Sequence, residues 1–138
     1  MRRADDSPAS TFARTPEASP LGQLGQTLRN PKQLIYIAMS NRNFYWRMHV
    51  SKVVLDEGYV PINPFMLFDY YLLHTVSKQL VREAINNLLS RCDEVWVFGT
   101  VSLGVKVQVG IAKRLKKPLR FYDVSDLPER VFRISEKL

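Results

Sequence analysis

Two short polar segments of the chain have the composition of anion-binding loops. Ser40-Asn41-Arg42-Asn43 follows one apolar run, and Gly99-Thr100-Val101-Ser102-Leu103-Gly104 follows another. A hydroxyl, a guanidinium and the free backbone N–H groups at the start of a helix can together hold a phosphate. Ser102 is also a favourable N-cap, and Gly104 permits close approach of the backbone to a ligand. A serine at the N-cap and a glycine in the first turn are common at ordinary helix starts, so a purely structural role stays open.

The elements that position these segments can be predicted from hydrophobic periodicity. Short apolar runs rich in β-formers predict buried strands. They are Leu34–Met39, Tyr59–Pro64, Glu94–Phe98 and Leu119–Tyr122. Helices are predicted between and after them, with apolar residues at helical spacing. They span Phe44–Glu57, Val81–Cys92, Ser102–Lys117 and Asp126–Leu138, and residues 65–79 indicate a short helix and a loop.

Strands that alternate with helices of this length predict right-handed crossovers. The expected fold class is α/β: a small doubly wound, flavodoxin- or Rossmann-like parallel sheet of four to five strands with helices on both faces. In such sheets ligands bind beyond the carboxyl ends of the strands, where the strand order reverses. That rule selects three loops, Ser40–Asn43, Pro64–Tyr70 and Gly99–Gly104. Neither polar segment has GxGxxG or Walker spacing, so no dinucleotide or P-loop site is expected.

The first 31 residues differ in composition from the rest. They contain four of the eight prolines and few large apolar side chains, too few to offset the entropy of ordering. We predict a flexible tail over 1–31, with a short helical turn near Leu21–Leu28, and an α/β domain over 32–138. The tail holds four Arg and three acidic residues, so nearly all of the net charge of +7 belongs to the domain.

Composition excludes several classes of protein. The single cysteine, Cys92, excludes an internal disulfide and a cysteine-based zinc site. His49 and His74 lack partners at metal-ligand spacing, so no metal is expected, and nothing indicates a cofactor. No apolar run has the ~18 residues that a membrane span needs. We therefore expect a soluble, cytoplasmic protein.

Three segments together resemble a known family. Ser102-Leu103-Gly104-Val105-Lys106-Val107-Gln108-Val109-Gly110-Ile111-Ala112 resembles the S-x-G-x-x-x-E-x-G-x-A helix of the nucleoside 2-deoxyribosyltransferase superfamily, with the 2′-deoxynucleoside 5′-phosphate N-hydrolases closest there. Tyr36–Arg42 is similar to the first strand and S-x-R phosphate loop of that superfamily. Cys92–Gly99 is similar to the third strand of small bacterial and phage relatives of unassigned function. The resemblance covers about residues 33–123.

The resemblance implies that the phosphate-binding parts are kept and the catalytic carboxylates are not. It implies phosphate contacts from Ser40, Asn41, Arg42, Asn43, Ser102 and Gly104. Gln108 stands where the family has the glutamate that attacks or stabilises the anomeric carbon. The family's second catalytic residue, the aspartate that protonates the leaving base, corresponds to a position near Ile85, which is flanked by Ala84 and Asn86. An amide is a poor nucleophile and stabilises an oxocarbenium-like transition state far less than a carboxylate. The expected function is a nucleoside 5′-monophosphate-binding domain with weak or lost N-glycosidase activity.

Two alternatives remain at this point. The chain could be an active N-hydrolase or deoxyribosyltransferase whose carboxylates come from Asp69 or Glu83. It could instead be a basic module that binds nucleic acid through residues 113–137, although no nucleic-acid motif supports this.

The aromatic segment has two possible uses. Phe65, Phe68 or Tyr70 could stack on a base. The same apolar segment could bury a dimer interface, and the family oligomerises, so we expect at least a homodimer.

Overall fold

A computed structural model of the chain describes residues 19–68 and 70–136. The chain divides into two compact units, Met1–Lys32 and Gln33–Leu138. In the first unit, helix α1 spans Pro20–Arg29, and the Ser19 hydroxyl caps it by accepting a hydrogen bond from the Gly22 N–H at 2.9 Å. This helix includes the turn predicted near Leu21–Leu28. Residues 1–18 lie outside the described part, and the predicted flexibility of the tail stays a prediction.

The second unit is built on a five-stranded sheet in the order β2-β1-β3-β4-β5. The strands are β1 (Leu34–Met39), β2 (Val60–Ile62), β3 (Glu94–Phe98), β4 (Leu119–Asp123) and β5 (Phe132–Ile134). The first four pair in parallel, and β5 pairs antiparallel with β4. The predicted fold class is confirmed. The strand order reverses between β1 and β3, since β1 leads to β2 on one side and the chain then returns to β3 on the other.

Helices cover both faces of this sheet. They are α2 (Arg47–Asp56), α3 (Pro64–Leu67), α4 (Tyr70–Thr75), α5 (Lys78–Arg91) and α6 (Leu103–Arg114), and a 3-10 helix over Asn41–Trp46 precedes α2. The residues predicted as one helix over Phe44–Glu57 therefore start in the tighter geometry. The segment 65–79 contains two short helices instead of the single short helix and loop predicted for it.

Two buried clusters hold these layers together, because alternate residues of each strand point to opposite faces. One face packs Tyr36 and Ala38 of β1 against Leu89 of α5 and Val105 and Val109 of α6. The other cluster comprises Ile35, Ile37, Met39, Trp96, Phe98 and Tyr122 with Val50 and Val54 of α2. Cys92 is buried in the first cluster, as its inward helical position predicts.

The prediction of a final helix over Asp126–Leu138 is wrong. A short turn follows β4, in which the N–H groups of Glu129 and Arg130 donate to the Asp126 carbonyl. The chain then forms β5, with Ile134 opposite Phe121. Val131, just before β5, packs on the α2 face, and Ile134 packs on the α6 face, so the extended chain here places one apolar side chain on each side of the sheet.

Candidate nucleotide site

The two polar segments meet at the carboxyl edge of the sheet. Met39 and Phe98, the last residues of β1 and β3, are paired neighbours. The chain therefore leaves both strands at the same place, where the strand order reverses. Ser40–Asn43 and Gly99–Ser102 are brought together there, as the topology of doubly wound sheets predicts.

Ser40 caps the 3-10 helix that follows β1. Ser40 is buried, and its hydroxyl accepts a hydrogen bond from the Arg42 N–H at 3.3 Å, which caps the 3-10 helix. Asn41 and Arg42 are exposed. The Nδ2 atom of Asn43 is buried and has no hydrogen-bond partner within the described residues. A buried donor without a partner costs about 1–3 kcal/mol, so it is unusual in a purely structural segment.

Gly99 allows this segment to lie against the loop after β3. Its φ is +84°, in the left-handed region that favours glycine. A Cβ atom there would lie 2.5 Å from Asn43 Nδ2 and 2.8 Å from Val124 Cγ2. The close approach of the two loops therefore requires a residue without a side chain.

The start of α6 has the predicted cap. The Ser102 hydroxyl accepts a hydrogen bond from the Val105 N–H at 3.4 Å. Around Gly104 a Cβ atom would meet nothing within 4 Å, so this glycine leaves open space instead of making a close backbone contact. Helix α6 thus presents its first turn without a large side chain at that point.

An open cleft of about 1110 Å³ lies on the β4 side of these loops, and we call it the β4 cleft. It is lined by Asn43, Trp46, Gly99, Thr100, Val101, Lys106, Tyr122, Asp123, Val124, Ser125, Leu127 and Ile134. Of the predicted site residues whose side chains the structure describes, only Asn43 lines it. Lys106 and Asp123–Ser125 were not selected from the sequence, and Leu127 and Ile134 fell within the helix predicted over Asp126–Leu138. The polar Asp123 at the end of a buried strand and Ser125 just after it were the available signal.

On the β1 side, Gln108 is held by a tyrosine of the core. Gln108 Nε2 donates to the Tyr36 hydroxyl at 2.9 Å. Burial raises the pKa of Tyr36 far above its usual value, the buried Cys92 adds to the rise, and the bond from Gln108 partly opposes it. Tyr36 therefore stays a neutral phenol. The carbonyl oxygen of Gln108 has no hydrogen-bond partner among the described residues and can accept one from a ligand.

Two neighbouring cavities are lined by Gln108. The smaller, about 60 Å³, is the strand-end pocket, lined by Tyr36, Ile37, Met39, Pro64, Phe65, Ile85 and Gln108. The larger, about 330 Å³, is the helix groove, lined by Lys78, Val81, Arg82, Ile85, Asn86, Gly104, Val107 and Gln108. Ile85 and Gln108 belong to both, so the two cavities adjoin. No carboxylate lines either cavity within the described part of the chain.

The other predicted residues lie apart from these cavities or outside the described part. Phe65 lines the strand-end pocket and also packs edge-on against Phe44, with ring centroids 5.3 Å apart. Phe68 is half-buried but lines none of the three cavities. Glu83 is exposed, and its carboxylate accepts a hydrogen bond from Gln79 Nε2 at 3.2 Å, away from the groove. Asp69 and the side chain of Tyr70 lie outside the described residues.

Several cations of the basic segment over residues 113–137 form ion pairs or hydrogen bonds within the protein. Lys113 Nζ lies 2.6 Å from Glu136, and Lys117 Nζ donates to the Cys92 carbonyl. Arg130 pairs with Asp126, and Lys137 is not described. The cations expected to form one basic face are thus divided between a helix end, a turn and a strand, which weakens the nucleic-acid alternative.

Within residues 19–68 and 70–136, no three His, Cys, Asp or Glu side chains are grouped so that they could hold a metal ion. No helix in the same ranges is long and apolar enough to cross a membrane.

Comparison with known proteins gives a family and a fold. Residues 35–122 match a family model described as "Domain of unknown function (DUF7768)". No curated protein matches the chain. Among solved structures, one described as a 2-desoxiribosyltransferase from Leishmania mexicana is similar, with a TM-score of 0.52 and 17% identity. The match covers 67% of this chain and 65% of that one, so the chain spans slightly less than two thirds of that protein. The likeness confirms the deoxyribosyltransferase-like fold.

Proposed function

The chain belongs to the DUF7768 family, whose description states no activity, and from that premise we propose that it is a nucleoside 5′-monophosphate-binding domain with weak or lost N-glycosidase activity. One observation carries this proposal. Gln108, at the position where the resembling family has its catalytic glutamate, is fixed to Tyr36 in a site whose described lining residues include no carboxylate.

The binding half of the proposal is supported by the groups at the carboxyl edge. The chain leaves the paired strands β1 and β3 at the same edge of the sheet, and we propose that Ser40–Asn43 and Ser102–Gly104, which follow them, hold the phosphate. The exposed guanidinium of Arg42 can donate to an anion, and beside it Asn43 Nδ2 is a buried donor that no described residue satisfies. Gln108 would face the sugar, and Phe65 would contact the base.

The loss of catalysis follows from the groups around the sugar position. Cleavage of an N-glycosidic bond develops positive charge at the anomeric carbon and needs a proton donor for the leaving base. A neutral amide stabilises that charge far less than a carboxylate. Tyr36 is a poor acid because burial holds its pKa so high. The described residues around Gln108 therefore suit binding better than bond cleavage.

The test is release of free base from each deoxynucleoside 5′-monophosphate, measured alongside nucleotide binding by calorimetry. The wild-type protein should bind at least one nucleotide and release base at less than about one thousandth of the rate of Gln108→Glu. The variant should gain activity because its carboxylate would accept a hydrogen bond from the Tyr36 hydroxyl and face the anomeric carbon. Gln108→Met serves as a control that removes the amide without adding charge.

The outcomes separate the alternatives. Base release by the wild type at a rate equal to that of Gln108→Glu would establish an active enzyme and overturn the loss of catalysis. In that case Asp69→Asn and Glu83→Gln would identify a displaced carboxylate. If no nucleotide binds to the wild type, the binding proposal itself is wrong.

We also propose that the chain forms a homodimer through the apolar surface of α3 and α4. Met66 and Leu67 are about half exposed, and Leu72 is exposed as well, although apolar side chains of this size are usually buried. Light scattering coupled to size-exclusion chromatography should give twice the chain mass. Leu67→Lys should reduce it to the single-chain mass, whereas the exposed α2 variant Leu55→Lys should not. A wild-type monomer at 100 μM would contradict the dimer.

A further inference from the structure

The helix groove contains two cations that face no opposite charge among the residues that the structure describes. Lys78 and Arg82 lie four residues apart on α5 and both line the groove. The facing wall is Gly104, Val107 and Gln108 of α6, which carries no charge. Neither cation has an ion pair or hydrogen bond within the described residues, in contrast to Lys52–Asp56 of α2, where the same spacing gives an ion pair at 2.6 Å.

This arrangement is unfavourable in the empty protein. Like charges at i and i+4 destabilise a helix by about 0.2–0.5 kcal/mol. Lys78 is also the first residue of α5, and cations are disfavoured near a helix N-terminus, where the partial charge of the backbone is positive. The first turn of α5 has no acidic residue to compensate. An anion in the groove would remove both penalties.

The groove adjoins the proposed nucleotide position. Gln108 and Ile85 line both the groove and the strand-end pocket. A sugar placed at Gln108 would therefore have the groove, with Lys78 and Arg82, on one side. A volume of about 330 Å³ is ample for a phosphate and its substituent.

We propose that the helix groove binds a second phosphate on the sugar of the nucleotide, held by Lys78 and Arg82. This inference rests on the proposed function, and it narrows the ligand from a nucleoside 5′-monophosphate to a nucleotide with two separated phosphates. The second phosphate can be a terminal monoester, as in a nucleoside 3′,5′-bisphosphate, or the diester link of a short oligonucleotide. Both present anionic oxygens to the same two cations.

Calorimetry at fixed ionic strength tests this with three ligands of the same base: the deoxynucleoside 5′-monophosphate, its 3′,5′-bisphosphate and the 5′-phosphorylated dinucleotide. We expect at least one of the two larger ligands to bind about tenfold more tightly than the monophosphate. Tighter binding of the bisphosphate would identify the second phosphate as a terminal monoester. Tighter binding of the dinucleotide would identify it as a diester. The double variant Lys78→Gln/Arg82→Gln should lose the gain and keep monophosphate affinity within about twofold. Arg91→Gln, at the other end of α5, should keep the gain.

The possible failures are distinguishable. Monophosphate binding with no gain from a second phosphate would overturn this inference and leave the proposed function intact. A gain that persists in the double variant would also overturn it, because the second phosphate would then lie elsewhere. No binding of any of the three ligands would overturn the proposed function as well. Thermal unfolding of each variant verifies that it is folded before its binding is compared.

Discussion

Polar groups at the amino edge of the sheet have partners within the protein, whereas several described polar groups at the carboxyl edge do not. At the amino edge, Arg120 lies 4.3 Å over the Trp96 ring and 3.9 Å from the Glu94 carboxylate, which also accepts from Trp96 Nε1 at 2.9 Å. Asp93 accepts from the Leu34 N–H at 2.7 Å. At the carboxyl edge, Asn43 Nδ2 and the cations of the helix groove have no such partners in the described part of the chain.

This difference distinguishes groups that hold the fold from groups available to a ligand. A buried polar group that is satisfied by its neighbours stabilises the native state modestly and has no capacity left for binding. A buried group left unsatisfied, such as Asn43 Nδ2, costs stability until something binds to it, whereas the exposed Lys78 and Arg82 are hydrated and available to an anion. Substitutions at the amino edge should therefore change stability and spare ligand binding, and most substitutions at the carboxyl edge should do the reverse.

Gly99 is the expected exception, with the largest effect on stability at the carboxyl edge. Gly99→Ala should lower the free energy of unfolding by about 3 kcal/mol, because it combines an unfavourable φ with contacts to Asn43 and Val124 that are too short. Urea denaturation measures this. Gly110→Ala in α6, where a Cβ meets nothing within 4 Å, should instead stabilise the protein by up to about 1 kcal/mol. Equal effects of the two substitutions would contradict the close approach of the loops.

At the amino edge, Arg120→Ala should lower the free energy of unfolding by about 2 kcal/mol. The change removes the cation–π contact with Trp96 and leaves Glu94, a side chain only 14% exposed, without its cation. Lys52→Ala breaks an exposed ion pair and should cost less than about 0.5 kcal/mol. The nucleotide affinity of Arg120→Ala should equal that of the wild type. A large loss of affinity would contradict the assignment of the amino edge to stability alone.

The smallest expected effect is the pH dependence from Cys92, also at the amino edge. Burial raises the pKa of its thiol from 9.0 to about 11, partly offset by Lys117. The unfolded state therefore loses the proton first, and stability contributed by the neutral thiol falls as pH rises from about 9 to 11. At pH 10 the loss should be about 1 kcal/mol greater for the wild type than for Cys92→Ala, relative to pH 8. If the free energies of unfolding of the wild type and Cys92→Ala change equally with pH, the pKa of the thiol is not raised by burial.

The parallel core was predictable from the sequence, whereas the last strand was not. The apolar runs of β1, β3 and β4 are continuous because both faces of each strand are buried, so their signal is local. β5 has only three residues, too few for the β-forming Phe132 and Ile134 to favour a strand over a helix without β4 beside them. Asp126 and Pro128 resemble a helix start locally, and pairing with β4 overrides that preference.

The loops at the carboxyl edge were predictable from the sequence, whereas the walls of the adjoining cavities were not. Ser40–Asn43 and Ser102–Gly104 were selected because the ends of parallel strands must share an edge. Lys78 and Arg82 gave no such signal, since cations on a helix usually face solvent. Only the packing of α5 against α6 places them in a groove with Gln108.

Both outer strands of the described sheet are only three residues long. β2 contains Pro61, which has no N–H to donate, and β5 presents the exposed Arg133. Short strands with a proline or a charge do not accept another strand alongside. Copies of this chain are thereby discouraged from joining into a continuous sheet or a fibril, and self-association is left to the helical surfaces.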